Sequence, residues 1–70
     1  MNGHVITIEL KFGTTNEWRM QVIDLDRGNR IESTLDFNSK NKAVETARLW
    51  AKLFNYPIRL KSGNNLRALR

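Results

Sequence analysis

Three groups of side chains in this sequence could do chemistry: a single histidine, a few clustered carboxylates and twelve lysines and arginines. His4 stands at the head of an alternating segment, and a general base needs an orienting partner and a proton within reach. No Ser/His/Asp set can be assembled around it, so it reads as an ordinary strand-end residue. Asp24-x-Asp26-x-Gly28-Asn29 has the acidic spacing that opens a calcium loop. Its glycine and third ligand come in the wrong order, and the twelfth position is Leu35 rather than a glutamate, so a turn explains it better. Glu9, Glu32 and Asp36 are expected as neighbours on one sheet face. Paired carboxylates can act as acid and base, but without a cleft, charge pairing with Lys11, Arg19 and Arg30 is the expectation. No glycine-rich phosphate loop is present, and the lack of cysteine removes disulfides and thiolate metal sites. The residues therefore predict no catalytic group, no metal, no cofactor and no enzyme.

The cations are distributed unevenly. Residues 1–39 hold four basic and six acidic side chains, net −2, whereas residues 40–70 hold eight basic and one acidic, net +7. Lys42, Arg48 and Lys52, with Lys40, fall on the polar side of an expected helix. Lys11, Arg19, Arg30, Arg59, Lys61 and Arg67, with Arg70, are expected on the outer sheet face and tail. A phosphate backbone suits such a distribution, because each neutralised phosphate releases counterions. Exposed rings would add base stacking, but Phe12, Trp18, Phe37, Trp50 and Phe54 all fall on expected core faces. Only Tyr56, just before Pro57, is expected to be partly exposed.

The elements that must position these groups follow from periodicity. With 70 residues and 40% hydrophobic content there is one domain over residues 1–70. His4 to Phe12 alternates as a strand, with Ile6, Ile8, Leu10 and Phe12 inward and Val5, Thr7, Glu9 and Lys11 outward. Gly13-Thr14-Thr15-Asn16 is a hairpin loop, and a second strand runs from Glu17 to about Leu25. Its end, Val22-Ile23-Asp24-Leu25, breaks phase and admits a bulge. After a turn at Asp26–Asn29, where Gly28 or Asn29 is free to take positive φ, a third strand spans Arg30 to Phe37. Ile31, Leu35 and Phe37 face inward there, and Arg30, Glu32, Thr34 and Asp36 outward.

The period then changes. Ala43, Val44, Ala47, Trp50, Ala51, Leu53 and Phe54 make the stripe of one helix, capped by Asn38 or Ser39 and stopped by Asn55 and Pro57. Ile58 and Leu60 belong to a short fourth strand, and residues 66–70 form a brief returning strand or a frayed end. A right-handed crossover makes the fourth strand parallel to the third, and hence to the first. The expected order is 4-1-2-3. The expected class is α+β (βββαβ): a three-stranded antiparallel meander, one amphipathic helix on one face, and a short C-terminal strand.

The run Phe37-Asn38-Ser39-Lys40-Asn41-Lys42-Ala43-Val44-Glu45-Thr46-Ala47-Arg48, followed by Pro57 to Arg67, resembles a pattern in short bacterial domains of unknown function. Those domains carry a Trp-bearing hairpin, then F-[DNST]-[ST]-K-x-x-A-[IV]-x-x-A-[RK], a short strand and a Gly-containing turn. The resemblance covers residues 18–67 and implies the fold, with no active site. Three strands followed by a helix also resemble, in architecture only, the DNA-binding domains of plant ethylene-response factors and the N-terminal arms of some phage integrases. There the outer sheet face enters the major groove.

Two functional expectations follow. The first is a small non-enzymatic binding module that contacts nucleic acid through Lys11, Arg19, Arg30, Arg59, Lys61 and Arg67. The second is a protein-interaction or inhibitor module, of phage or accessory type. It would work through an edge strand or the exposed helix face around Arg48, Leu49 and Lys52, or by forming a homodimer. No apolar run approaches the length of a membrane span, and MNGHVITIEL lacks a basic n-region and an A-x-A site, so a cytoplasmic chain is expected.

Overall fold

The computed structural model describes residues 3–63 and 65–68. Five strands and one helix follow in chain order: β1 (His4–Leu10), β2 (Trp18–Asp24), β3 (Arg30–Phe37), α1 (Lys40–Phe54), β4 (Ile58–Ser62) and β5 (Asn65–Ala68). They form one sheet in the order β3-β2-β1-β4-β5. β1 pairs antiparallel with β2 and parallel with β4, with Ile6 opposite Ile58 and Ile8 opposite Leu60. The expected 4-1-2-3 order is thus present, and the chain beyond β4 adds a fifth strand rather than fraying. That strand pairs antiparallel through Arg59–Ala68 and Ser62–Asn65. Residues 69 and 70, including Arg70, lie outside the described residues.

Helix α1 is bounded by the residues whose chemistry predicts its ends. Ser39 sits in extended backbone, and its Oγ accepts the N–H of Lys42 at 3.1 Å, satisfying one otherwise orphaned donor. Asn55 takes the left-handed conformation at φ 59°, and the N–H of Tyr56 reaches back to the Ala51 carbonyl at 3.1 Å. Pro57 forbids continuation, and its carbonyl accepts the Ile6 N–H at 2.9 Å, tying the helix exit to β1.

Alanines let this helix lie close to the sheet. Ala43 and Ala47 are fully buried on Ile6, Ile8, Met20 and Val22, and Trp18, Phe37, Val44, Trp50, Tyr56, Ile58 and Leu60 pack round that nucleus. The expected stripe holds at its centre and fails at its edges. Leu53 and Phe54 are more exposed than buried, and on β1 the inward row also loosens at its end, where Leu10 is 41% exposed.

Phe12 is wholly exposed, against the expectation of a core ring. The strand ends at Leu10 because Thr14 folds back on Lys11. Its N–H and its Oγ–H both go to the Lys11 carbonyl, at 3.1 and 2.7 Å. Gly13 at φ 79° completes that turn, and Phe12 is carried out on it.

The other departure is a bulge. β2 and β3 pair Val22 with Ser33 and then Ile23 with Ile31, so Glu32 is an extra residue on β3. A break in phase is expected at Val22–Leu25, but the spare residue sits on the facing strand. One inserted residue exchanges the faces of everything beyond it. Ile31 therefore moves to the outer face beside Ile23, and Arg30, opposite Asp24, moves off it. The chain then turns through a single 3-10 turn, Leu25–Arg27, with Gly28 and Asn29 both at positive φ.

The outer face, expected to be polar, is apolar at its middle. Val5 and Thr7 are buried there, together with Gln21. They line a groove of about 310 Å³ with Ile23, Ile31 and Leu66.

Candidate interaction surfaces

The six cations expected to make one binding face do not lie together. Strand parity leaves Lys11, Arg19, Arg59 and Lys61 on the outer face. Arg30 is moved off it by the bulge, and Arg67, opposite Leu60 in register, takes the helix-side parity. Both corrections have the same physical origin: side-chain direction follows pairing register, and register here is set by one inserted residue and by an added edge strand.

Most cations on the outer face are already matched. Arg19 Nε donates to Asp36 Oδ1 at 3.0 Å, and Lys11 Nζ lies 3.5 Å from Asp36 Oδ2. Arg19 thereby holds the Asp36 carboxyl below its ordinary value, with Lys11 adding to the effect, and Asp36 raises the Arg19 guanidinium in turn. Lys61 Nζ faces Glu9 Oε2 at 3.8 Å, and Arg59 donates to its neighbour's carbonyl, that of Ile58, at 2.9 Å. A polyanion arriving on this face would have to displace Asp36 and Glu9 from their partners.

The solvent side of α1 differs. At 100° per residue, Lys42, Thr46, Leu49 and Leu53 form one longitudinal stripe, with Glu45, Arg48 and Lys52 beside it. Leu49 is 56% exposed and Leu53 68% exposed. Lys42 and Lys52 enter no ion pair among the described residues, whereas Lys40 Nζ lies 5.4 Å from the centre of the Trp18 ring. Arg48, Leu49 and Lys52, the residues expected for a partner-binding helix face, are thus adjacent and outward.

A third cluster was not expected. Three neighbouring strands deliver His4, Asp24 and Glu32 to one end of the helix side of the sheet. His4 Nε2 is 2.8 Å from Glu32 Oε1 and 3.8 Å from Asp24 Oδ2. The imidazole is stacked on Tyr56, with ring centres 4.7 Å apart and planes within 6°. His4 is therefore a held and partnered side chain rather than a loose strand end. Asp24 is buried, its Oδ1 accepts the Asp26 N–H at 3.0 Å, and Arg27 Nε approaches its Oδ2 at 3.5 Å. Glu32 reaches this cluster because it is the bulged residue. In an uninterrupted strand it would point to the opposite face. The phase break at Val22–Ile23 is the signal in the sequence that could have found it.

Beside the cluster, Val22, Glu32, Ser33, Trp50, Phe54 and Tyr56 line a small cavity of about 190 Å³. Phe54 stands edge-on to Trp50 at 6.0 Å and lies against Tyr56 at 5.5 Å, so four rings run from the helix to His4. Among the described residues no helix is long and apolar enough to cross a membrane.

The bacterial resemblance rests on the quoted residues alone, and the plant and phage ones on element order alone, for comparison with protein-family models, with curated proteins and with solved structures finds no match to this chain.

Proposed function

We propose that this chain is a small non-enzymatic binding module that docks a protein partner on the outward side of α1. The observation that carries this reading is the pair Leu49 and Leu53, one turn apart and more than half exposed, on a helix whose opposite side already supplies the core. Burying two leucines stabilises a complex by about 1.5–3 kcal/mol each before ordering costs. Lys42, Lys52 and Arg48 around them favour a partner whose apolar contact residues are flanked by carboxylates.

Retention of partners from lysate, with and without nuclease, tests the reading. A protein kept after nuclease by the natural chain, and lost with the double substitution Leu49→Ala/Leu53→Ala, supports it. Loss of every partner after nuclease overturns it.

The charge balance favours a second reading, contact with nucleic acid. The chain carries +5 overall, and Lys42, Lys52, Arg30 and Arg67 enter no ion pair among the described residues. Neutralising four phosphates gives a slope of log affinity against log salt of roughly −4. A flat salt response, or no mobility shift at low salt, removes this reading.

A further inference from the structure

We propose that His4, Asp24 and Glu32 form a binding site for a divalent transition-metal ion of the Zn²⁺ class. One imidazole nitrogen and two carboxylate oxygens converge from β1, β2 and β3, all within 4.8 Å of one another. Bonds of about 2.0–2.1 Å in a tetrahedral shell place neighbouring donor atoms about 3.3 Å apart. The two separations from His4 Nε2, 2.8 and 3.8 Å, bracket that value. Shifts of about half an ångström would bring each of these two separations to that value, and the two carboxylates, within 4.8 Å of each other, would close the remainder. Glu32, two-fifths exposed, has the freedom to supply them.

Three features set this cluster apart from a chance meeting of surface charges. Two of the ligands are held by neighbours that would not touch the ion: the His4 ring by its stack on Tyr56, and the Asp24 carboxylate by the Asp26 N–H. The third is aimed by a β-bulge, a device that redirects one side chain at the cost of ladder hydrogen bonds. The charges also match, because two carboxylates neutralise a dication. The Asp24 side chain, only 7% exposed, sits where an uncompensated charge is costly. Arg27 now supplies part of that compensation, and with its side chain 70% exposed it can swing into water when a metal takes its place. The donor set selects the ion. An imidazole nitrogen with carboxylates suits Zn²⁺ or Co²⁺ better than Ca²⁺, which takes oxygen ligands. Glu32 also borders the ring-lined cavity, which gives a fourth ligand, water or a small molecule, room to enter.

Calorimetric titration of the full, untagged chain with ZnCl₂, paralleled by the visible absorption of added CoCl₂, tests the site. The expected result is one ion per chain with a tetrahedral cobalt spectrum. Affinity should fall at least tenfold in both His4→Ala and Glu32→Gln, and remain unchanged in Asp36→Asn on the outer face. Glu32→Gln is the decisive variant: it keeps the size and a hydrogen-bonding carbonyl at a partly exposed position, and an ion held by the imidazole alone would be indifferent to it. Far-ultraviolet circular dichroism verifies that each variant is folded. Absence of one-to-one binding up to about 1 mM, equivalent to roughly −4 kcal/mol, overturns the proposal. So does binding that Glu32→Gln leaves intact.

Discussion

The two faces of the sheet are buried by different means. Under the helix, Ile6, Ile8 and Met20 are sealed by Ala43 and Ala47, and the contact is apolar throughout. On the outer face no element among the described residues packs as a second layer, yet Val5 and Thr7 are almost as inaccessible. They are enclosed by side chains from the flanking strands, and the Thr7 Oγ is left without a hydrogen-bond partner. A central strand of a five-stranded sheet can thus be buried on both sides while only one side is a packed core. The first kind of burial supplies cohesion. The second leaves a groove with one unsatisfied polar atom and a rim of matched charges.

The largest test of this contrast is Ile8→Ala. Its side chain is fully buried beneath the helix alanines, which cannot collapse far, so the variant should lose about 2–5 kcal/mol in denaturant unfolding. A loss below about 1 kcal/mol would mean that the helix side is no better packed than the outer face. A smaller effect of opposite sign is expected from Thr7→Val. Replacing an unpartnered buried hydroxyl, 1% exposed, by a methyl should raise stability by up to roughly 1 kcal/mol. A drop instead would show that the hydroxyl has a partner, and that the outer groove is a wetter place than its lining suggests.

Smaller still is the acid response of the outer rim. Asp36 has its carboxyl held below the ordinary 3.8 by Arg19 and Lys11, so its ionised form is favoured in the folded chain. Such a group contributes stability that is complete above its ordinary value and is lost as pH falls through the lowered one. Asp36→Asn should therefore lower stability slightly at neutrality, and the difference from the natural chain should shrink to nothing as pH falls below about 4, which flattens the acid limb. An unchanged acid limb would show that the Arg19–Asp36 pair is no more favourable than solvent. The substitution Leu49→Ala/Leu53→Ala should sit within about 0.5 kcal/mol of the natural chain, since exposed leucines contribute little to the fold. Its consequence should appear in partner retention alone.

Local chemistry made much of the fold legible. Ser39 and Asn55 end the helix where their side-chain and backbone preferences place them, and the alternation of Ile6 and Ile8 marks the strand the helix covers. The direction of β4 follows from the handedness of one crossover, and its place beside β1 from the run of large aliphatics that suits β1 to a central position. The extra residue in β3 leaves its signal in β2, at the phase break of Val22–Ile23, and none in β3 itself. Ile31, Leu35 and Phe37 keep a two-residue spacing broken only by the polar Ser33, so nothing within that strand reports an insertion. It exists only in relation to β2. Alternation alone therefore places Arg30 and Ile31 on the wrong faces and keeps Glu32 apart from His4 and Asp24. Phe12 shows the same limit, since its alternation continues past the point where a turn takes over.

The amino-acid order by itself determined which segments extend, which segment coils, where the helix stops, and that the second half of the chain is strongly cationic. These are properties of neighbours along the chain, governed by periods of two and 3.6 residues and by caps that act within a turn. Tertiary structure alone decided which charges neutralise one another, which rings reach water and which three ligands share one corner. Those outcomes depend on cross-strand register, and a single bulged residue resets the facing of the residues beyond it.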